Sequence, residues 1–518
     1  MKFHLFLPAL LLAFTGNAQT VFNPDLLPYT MSLKEVTQDE LPGLHSFALG
    51  KWDKWWVVIG GRVNGLHGFF INTGFPDDKA NNMIRLMDPQ TGDLHEYPLE
   101  LLTVPWKEAL KATNPQYVQD GDLLYICGGY GRDNQSKMVT FPVLTAVHLP
   151  NLVNSILEDK NPTSAFVQKE VANLRVCGGE MEKMGDWFYL VGGHNFAGLY
   201  NQNGPPQFTQ QYTNEIRKFK ISLAGNVLSV SDYSAYRDEA NLHRRDFTMA
   251  PLIRPDGKEA LGLYGGVFRV GADLPFYNPV YMANDVTFNM DASYSQLFSQ
   301  YTCPAIPMFD STDGSMYTLF FGGLSVYSYN KNTRQLEYDE KVPFIKDIST
   351  FHRKADGTSK EYVMPERFDS FLGTNMVFVL HEEVPHYKNE VIKLRALTGP
   401  TVVGTLFGGI KAEIPNLTPS SANHRMFEVT ITPARSVHTD QPPVGTPVRI
   451  VPTCLSSHSM PRVQNLDPGT PVAIVNTLGQ IVWQAAFQPA SFADQVAVLP
   501  RGSYWLKTPQ SSAFFVKM

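Results

Sequence analysis

Seven polar side chains are candidates for ligand binding, because their types can hold charged or hydroxylated groups. The densest cluster lies at residues 243–246, where a histidine and two arginines precede an aspartate. Arginine donates paired hydrogen bonds that match a carboxylate, so this pattern indicates a site for a carboxylate or a sugar acid. The alternative is a structural network, because buried charges must be paired. The candidates are His194, Arg175, His243, Arg245, Asp246, Arg367 and Asp369.

Motifs of common catalytic and metal centres are absent from the sequence. Neither His-Glu-x-x-His nor Gly-x-Ser-x-Gly occurs, and the glycine pairs end strands instead of preceding helices, so they do not form phosphate-binding loops. The cysteines lie far apart without a Cys-x-x-Cys pair, which disfavours a zinc site. They are either buried free thiols or partners in one or two disulfides. No catalytic residue, metal or cofactor is predicted. The cysteines are Cys127, Cys177, Cys303 and Cys454.

Composition limits the class of protein. The 518 residues carry a net charge of −6, without the basic stripe that a nucleic-acid-binding protein normally shows. The chain contains 39 glycines and 37 prolines, and 12% of its residues are aromatic. This composition favours many short strands joined by tight turns over a helical fold.

An apolar and aromatic strand that ends in a glycine pair occurs six times. In the third copy, Gly185–Asp186 forms the opening turn, Trp187–Val191 the run and Gly192–Gly193 the closing pair. Such a run is typical of a strand buried on both faces. Further strand-like segments flank each copy, so the pattern predicts four-stranded units at a period of roughly 60 to 80 residues, as in a propeller with long insertions. The copies span 55–61, 121–129, 185–193, 259–266, 316–323 and 403–409.

These repeats resemble those of a known family. Leu44–Leu49 followed by Trp55–Gly61 is similar to a kelch repeat, in which a glycine pair ends the second strand of each blade. The resemblance covers about 30–433 and implies an all-β, six-bladed kelch-like β-propeller. Thr30–Val36 is predicted to pair into the sixth blade, which would remove open sheet edges. Seven blades are the alternative, because Met376–Leu380 could belong to an extra blade.

The repeats suggest where the candidate residues lie. Residues 243–246 precede the predicted innermost strand of the fourth unit, so alternate side chains would face a central channel. Arg367 and Asp369 occupy a comparable place before the sixth unit, and Arg175 before the third. His194 follows the third glycine pair, where it either reaches a ligand or makes local hydrogen bonds.

The N-terminal segment has the pattern of a secretory signal peptide. Lys2 provides a positive charge, Leu5–Phe14 a short apolar core, and Gly16–Ala18 a small-residue cleavage site. The predicted signal peptide is 1–18, and the propeller would span 19–433. The apolar core is too short to cross a bilayer, and no later stretch predicts a transmembrane helix. We therefore expect an exported protein.

The C-terminal region predicts a separate small domain. Residues 434–447 are rich in Pro, Ser and Thr and indicate a linker, and 448–518 predict a small Ig-like β-sandwich. Val475–Val482, Leu499–Leu506 and Phe515–Met518 resemble the C-terminal sorting domain of the type IX secretion system of Bacteroidota. That resemblance implies export by this machinery across the outer membrane, followed by removal of the tail and release or attachment at the cell surface.

Two classes of function fit the sequence. The first is a secreted or cell-surface binding protein whose ligand is a carbohydrate or a protein. The second is an extracellular carbohydrate-active enzyme with its site in the channel, similar to the kelch-type mutarotases or to the copper-radical oxidases. The latter need a thioether-linked tyrosine and cysteine, and Tyr301 and Cys303 offer these residue types. Ligand contacts are expected in the loops at 195–211 and 271–283, which are rich in Tyr, Phe, Pro and Asn.

Overall fold

The structure is a computed structural model that divides into two compact units, Met1–Ala434 and Arg435–Met518. The described residues are 24–434 apart from 71–72, 300 and 417–418, and 449–518 apart from 452–453, 456–461, 477–479 and 509–511. The predicted signal peptide lies outside the described residues, as does the predicted linker apart from Ala434.

The first unit is built mainly from strands. Among its described residues, six sheets follow one another along the chain, each with four antiparallel strands in a path, and one of them adds a fifth, parallel strand. In sheets 1, 4, 5 and 6 the glycine pair ends the second strand or follows it directly, and in sheets 2 and 3 the pair lies within a longer second strand. The all-β fold with repeated four-stranded units is therefore confirmed, and the sheets are numbered 1 to 6 in chain order.

The strands of the first unit have the following bounds. Strand β1 is Tyr29–Glu35. Sheet 1 contains β2 (Ala48–Trp52), β3 (Trp55–Ile59), β4 (Met83–Met87) and β5 (Leu94–Pro98). Sheet 2 contains β6 (Thr113–Asp120), β7 (Leu123–Arg132), β8 (Met138–Thr140), β9 (Val143–His148) and β10 (Phe166–Glu170). Sheet 3 contains β11 (Cys177–Met184), β12 (Trp187–Leu199), β13 (Gln207–Tyr212), β14 (Glu215–Ala224) and β15 (Val227–Arg237).

Three further sheets and two hairpins complete this unit. Sheet 4 contains β16 (Thr248–Ile253), β17 (Glu259–Tyr264), β18 (Val280–Ala283) and β19 (Phe288–Met290). Sheet 5 contains β20 (Ala305–Asp310), β21 (Ser315–Phe321), β24 (Asp347–Arg353), β25 (Ser359–Arg367) and β27 (Ile392–Lys393); β22 (Tyr327–Asn330) and β23 (Gln335–Tyr338) form a hairpin. Sheet 6 contains β26 (Met376–Leu380), β28 (Thr401–Gly408), β31 (Phe427–Pro433) and β1; β29 (Ile410–Ala412) and β30 (Ser420–Ala422) form a hairpin.

Sheet 6 joins the two ends of the first unit. Strand β1 pairs antiparallel with β31 over seven residues, from Tyr29 opposite Pro433 to Glu35 opposite Phe427. The predicted pairing of the N-terminal strand into the sixth unit is thus confirmed. Met376–Leu380, which the seven-unit alternative assigned to an extra blade, is the first strand of this sheet and pairs with β28.

The core of the first unit lies in layers between successive sheets. Alternate side chains of one strand serve different layers: Phe188 and Leu190 pack with residues of sheet 2, and Tyr189 and Val191 pack with residues of sheet 4. This explains why the strands before the glycine pairs are apolar throughout instead of alternating with polar residues.

A ring of hydrogen-bonded turns, here called the central ring, connects the sheets where their first strands begin. Each member has a positive φ, between 48° and 63°. The Asn114 amide donates to the Ser46 carbonyl (3.0 Å), and Asn375 Nδ2 donates to Ser46 Oγ (2.8 Å), which links sheet 6 to sheet 1. Further amide-to-carbonyl bonds join Asp246 to Gly178, Thr302 to Asp246 and Asn375 to Thr302. The members are Ser46, Asn114, Gly178, Asp246, Thr302 and Asn375.

Helices are few in the described residues. The α-helices are α1 (Leu149–Leu157), α2 (Glu239–Leu242) and α3 (Pro489–Val498). Single 3₁₀ turns lie at Pro24–Leu26, Asp77–Lys79, Leu99–Leu101, Lys107–Lys111, Pro162–Ala165, Ala172–Leu174 and Leu394–Ala396. None of the helices that the structure describes is long and apolar enough to cross a membrane.

The second unit combines strands with α3. The strands are β32 (Arg449–Val451), β33 (Cys454–Leu455), β34 (Arg462–Gln464), β35 (Pro471–Asn476), β36 (Ile481–Ala486), β37 (Gly502–Lys507) and β38 (Ser512–Lys517). Five of them form one sheet in the order β33-β38-β37-β35-β36. Phe492 and Val496 of α3 pack against its buried residues, including Ile474 and Leu506. The sequence did not predict this helix.

Candidate functional site

The loops after the second strands and the turns before the first strands meet at one end of the sheets, here called the loop face. Isolated bridges join the two kinds of segment: His45 pairs with Arg62 in sheet 1, Arg245 with Val267 in sheet 4, and Tyr301 with Leu324 in sheet 5. The central ring lies at the same level, because Asp246 and Thr302 each follow one of these bridging residues. Side chains from distant parts of the chain therefore converge here.

Arg245 and Asp246 form the centre of a polar network on the loop face. Arg245 Nη1 donates to Asp246 Oδ2, and Arg245 Nε donates to the Tyr212 hydroxyl oxygen (3.1 Å). The Tyr301 hydroxyl donates to Asp246 Oδ2 (3.3 Å). The Arg245 guanidinium also lies 5.3 Å from the centre of the Phe268 ring. Residues from sheets 3, 4 and 5 are thus held together by one ion pair and its hydrogen bonds.

Two of the predicted histidines lie beside this network. His194 is buried, its Nδ1 is 2.7 Å from Gln210 Nε2, and its ring is 5.7 Å from that of Tyr212. Burial and, to a smaller degree, the charge of Arg245 lower the pKa of His194 well below its usual range. The ring of His243 stacks on the ring of Tyr212, which also accepts a hydrogen bond from Arg245; the two ring centres are 3.8 Å apart. Four of the seven candidates, His194, His243, Arg245 and Asp246, are therefore brought together.

Aromatic rings next to this network form what we call the aromatic patch: His67, Phe69, Tyr200 and Phe208. His67 stacks on Tyr200 with ring centres 5.2 Å apart, and Tyr200 packs on Phe208 at 5.3 Å. All four side chains are partly exposed. Burial lowers the pKa of His67 to about 4, so its ring is neutral at physiological pH. The patch offers flat, partly apolar surfaces beside the charged groups of Arg245 and Asp246.

The other three candidates lie elsewhere. Arg175 is exposed beside the turn Ala172–Leu174. Arg367 ends β25, the outer strand of sheet 5, and its Nη2 lies 3.7 Å from Asp347 Oδ1, so its expected place before an innermost strand is wrong. Asp369 is exposed and accepts two hydrogen bonds from Arg425.

Arg425 explains the position of Asp369. Its guanidinium also donates to both carboxylate oxygens of Glu35 at the end of β1, at 2.9 and 2.6 Å. The arginine therefore joins the N-terminal strand to the segment after β25. Arg367 and Asp369 each pair with an oppositely charged side chain away from the channel, so they fit a structural network better than a ligand site.

The residue types required by a copper-radical centre are not assembled. The Tyr301 hydroxyl points to Asp246, whereas Cys303 packs among buried residues that include Tyr264 and Phe320. Cys127, Cys177 and Cys303 are buried free thiols, as one of the two sequence interpretations expected. Among the described residues, no group of three or more His, Cys, Asp or Glu side chains could hold a metal ion.

A cavity of about 830 Å³ lies inside the first unit, between the central ring and the segment 381–400. The first strands of the sheets line its walls, and all six members of the central ring line one end. The segment 381–400, here called the insertion, connects β26 to β28 and contributes Glu382, Lys388 and Glu390 to the lining. Its strand β27 pairs in parallel with β20, the first strand of sheet 5. This volume is in the range of small-molecule sites.

Two carboxyl groups stand on the cavity wall in β11. Glu180 and Glu182 are two residues apart in a strand, so their side chains share one face, opposite to that of Met181, which contacts Cys127 of sheet 2. Both are half-buried and keep some exposed area, because the cavity lies beside them. Burial, followed by repulsion from Glu390, raises the pKa of Glu182 to about 8. Burial, Glu182 and Asp246 raise the pKa of Glu180.

The raised pKa of Glu182 predicts a pH-dependent stability. The folded protein holds this proton more tightly than the unfolded chain, so the free energy of unfolding should fall as pH rises from about 5 to about 8.5, with a slope of about 1.4 kcal/mol per pH unit for each proton released. In the variant Glu182→Gln, the free energy of unfolding measured with urea should fall less between the two pH values. Glu170→Gln, which removes an exposed carboxylate of β10, should match the unsubstituted protein. Equal pH dependence of all three proteins would contradict the prediction.

Comparisons with known proteins add little to this description. No family model matches the chain, and no curated protein matches it. Among solved structures, the chain is similar to one titled "Structure of YjhT", with 12% sequence identity and a TM-score of 0.42. That similarity covers 74% of this chain and 96% of the other.

Several residues of the site were not found from the sequence. Tyr200 and Phe208 lie in the segment 195–211, which its aromatic content identified as a loop for ligand contacts; the end of β12 and most of β13 lie there, so Phe208 belongs to a strand. His67 and the pair Glu180 and Glu182 were missed. His194 follows the third glycine pair directly, whereas Arg62 occupies that position after the first pair and His67 comes later in the same loop, so spacing gave no signal for His67. For the glutamates, the signal was two acidic residues spaced by two in a predicted innermost strand.

Proposed function

We propose that this protein is an exported carbohydrate-binding protein, in which a six-bladed kelch-type propeller carries the ligand site on its loop face. The hydrogen bonds of the central ring support the propeller arrangement, because they link five of the six neighbouring pairs of sheets, including sheet 6 with sheet 1. Sheets 2 and 3 are joined beside the ring, where the Gly129 amide donates to the Val176 carbonyl. The layered core and the closure by β1 agree with that arrangement.

The observation that carries the binding proposal is the aromatic patch beside the Arg245–Asp246 ion pair. Flat aromatic side chains cover the apolar face of a sugar ring, and a few fixed polar groups at the edge provide orientation for hydroxyl groups. His67 and Tyr200 come from loops of sheets 1 and 3, and they meet at a stacking distance of 5.2 Å. A site assembled by packing from distant loops is pre-organised, which reduces the entropic cost of binding.

The test is a glycan array with the full chain, followed by calorimetry with the sugar that binds best. Tyr200→Ala should weaken binding at least about tenfold, which corresponds to about 1.4 kcal/mol. Tyr233→Ala is the matched control, because Tyr233 is an exposed tyrosine on the outer strand of sheet 3. Equal affinities of the two variants, both with an unchanged melting temperature, would rule out the aromatic patch as the site.

A carbohydrate-active enzyme is the second candidate, and one observation favours it. Tyr301, Asp246, Arg245 and Tyr212 form a continuous hydrogen-bonded chain that ends at the loop face. Proton-transfer groups held in such a chain suit mutarotase-like or epimerase-like chemistry on a bound sugar. Incubation of the purified chain with the sugars identified on the array, monitored by NMR, distinguishes the two classes. Accelerated interconversion of anomers or epimers that Tyr301→Phe abolishes would establish the enzyme.

The C-terminal unit is proposed to be an Ig-like type IX sorting domain, on the sequence resemblance stated above. We expect that deletion of residues 448–518 leaves the protein in the periplasm of a host that has this secretion system. Fractionation and surface proteolysis measure the outcome, and a periplasmic marker protein controls for lysis. Unchanged delivery of the truncated protein to the surface would disprove the sorting role.

A further inference from the structure

The cavity between the central ring and the insertion is separate from the aromatic patch and has a different chemistry. Its titratable lining includes seven carboxyl groups but only three lysines. Beside Glu180 and Glu182, the acidic groups are Asp120, Asp246, Glu259, Glu382 and Glu390. The basic groups are Lys51, Lys183, Lys388 and the imidazole of His386, and the phenol of Tyr117 also lines the wall.

The lysines do not neutralise Glu180 and Glu182. Lys183 Nζ lies 2.5 Å from Asp120, and Lys51 Nζ lies 3.7 Å from Glu390. Asp246 is paired with Arg245 on the loop face. In the part of the chain that the structure describes, no basic side chain forms an ion pair with Glu180 or Glu182. Two adjacent carboxyl groups on an enclosed wall are costly when ionised unless a positive charge joins them.

A neutral acceptor in the same wall gives a second, independent observation. Gln116 lies on β6, lines the cavity and is only 2% exposed. Its Nε2 donates to the Asn114 carbonyl, whereas its Oε1 has no hydrogen-bond partner among the described residues. A buried acceptor without a donor costs free energy, and a turn of the Gln116 amide towards the cavity would let a ligand that donates hydrogen bonds remove that cost.

We propose that this cavity binds a small aliphatic amine, whose ammonium group lies between Glu180 and Glu182. An ammonium group carries three donors and no acceptor, which matches a wall that offers acceptors. The lining holds more carboxyl groups than basic groups, and Glu382 at the insertion end offers a carboxylate for a second ammonium group of a diamine or polyamine. An inorganic cation fits less well, because the described residues contain no group of three His, Cys, Asp or Glu side chains arranged for a metal.

Binding in this way is coupled to proton release. Burial favours the protonated carboxyl groups in the ligand-free protein, and the ammonium group favours the ionised ones. The carboxyl protons pass to the buffer, and the amine remains protonated, since an aliphatic amine keeps its proton up to a pH of about 10. Affinity should therefore increase at least tenfold from pH 6 to pH 8.5. Calorimetry at pH 6 in buffers of different ionisation enthalpy should detect the released protons.

The experiment uses the full chain with 1,4-diaminobutane and spermidine as probes, and calcium chloride as the inorganic control. Glu180→Gln and Glu182→Gln should each weaken amine binding at least tenfold, and Glu170→Gln, with the same change of charge away from the cavity, should alter it less than twofold. Saturable amine binding with this pattern supports the proposal. The absence of saturable binding, equal losses in all three variants, or calcium binding with the same sensitivity would overturn it.

The result is independent of the loop-face proposal. Tyr200→Ala should leave amine affinity within twofold, because the aromatic patch does not line the cavity. If sugar binding fails and amine binding succeeds, only the loop-face function is wrong. If Glu180→Gln and Glu182→Gln fold poorly, the increase of their melting temperature on addition of spermidine at pH 8.5 still tests the site. An increase equal to that of the unsubstituted protein contradicts the site, and loss of the increase supports it.

Discussion

A chain that lacks residues 24–36 is expected to melt at least about 10 °C lower than the full chain, or to accumulate as aggregate. Strand β1 places Tyr29 and Met31 in the buried core, and Leu27 just before it is buried as well. Burial of each such side chain contributes about 1.5 to 3 kcal/mol, and the three together approach the total stability of many domains, about 5 to 15 kcal/mol. Their loss also leaves β31 as an open edge, which invites pairing with other chains.

The control for this truncation is a chain that begins at residue 24. It keeps the complete strand β1 and the hydrogen bond from β1 to sheet 5, between the Tyr29 and Thr350 hydroxyls at 2.8 Å. Its melting temperature should equal that of the full chain in differential scanning calorimetry. Identical melting of both truncated chains would show that β1 does not stabilise the first unit.

Gly128→Ala is expected to destabilise the first unit by about 3 kcal/mol or more, through a close approach between sheets 2 and 3. Gly128 has a φ of +67°, which disfavours any residue with a Cβ atom by about 1 to 2 kcal/mol. A Cβ atom here would lie 1.9 Å from the Val176 carbonyl oxygen, so the backbones would have to separate at a further cost of about 1 to 3 kcal/mol.

The matched control is Gly121→Ala. Gly121 has a similar φ of +59°, but a Cβ atom there meets nothing within 4 Å. This variant should lose only the backbone contribution of about 1 kcal/mol. Urea unfolding of the two variants separates the close approach from the backbone conformation. Equal free energies of unfolding for the two would contradict the inter-sheet explanation of the glycine pairs.

The strands of the first unit could be predicted because each carries its own signal. The run Trp187–Val191 is apolar at every position, since both faces of β12 are covered. The glycine pair after it marks a place where the backbone has a positive φ and a neighbouring segment leaves no room for a Cβ atom. The same physical constraint acts at all six copies. For this reason, the strand order within the units and the partner of β1 followed from the sequence, whereas α3 lies in a region without such a repeat.

The candidate site was harder to predict, because its residues meet only through the arrangement of the sheets. Asp246 stands directly before a first strand, and the position that corresponds to it in sheet 6 is Asn375, not Asp369. Arg367 ends β25 and Asp369 follows it, so a similar polar composition pointed to the outer strand of sheet 5 instead of the turn before β26. The spacing of Glu180 and Glu182 places both on one face of β11, but it does not show that a cavity borders this face, since the cavity depends on all six sheets.

The pairing of β1 with β31 also has a consequence for how the chain folds. Tyr29 and Pro433 stand about 400 residues apart in sequence, so the contact that completes sheet 6 joins the first part of this unit to its last. On a ribosome, or during passage through a membrane, β1 emerges long before its partner exists. The sixth sheet of the first unit therefore stays incomplete until β31 is available. We expect the last folding step to be slow and sensitive to chaperones that bind exposed strand edges.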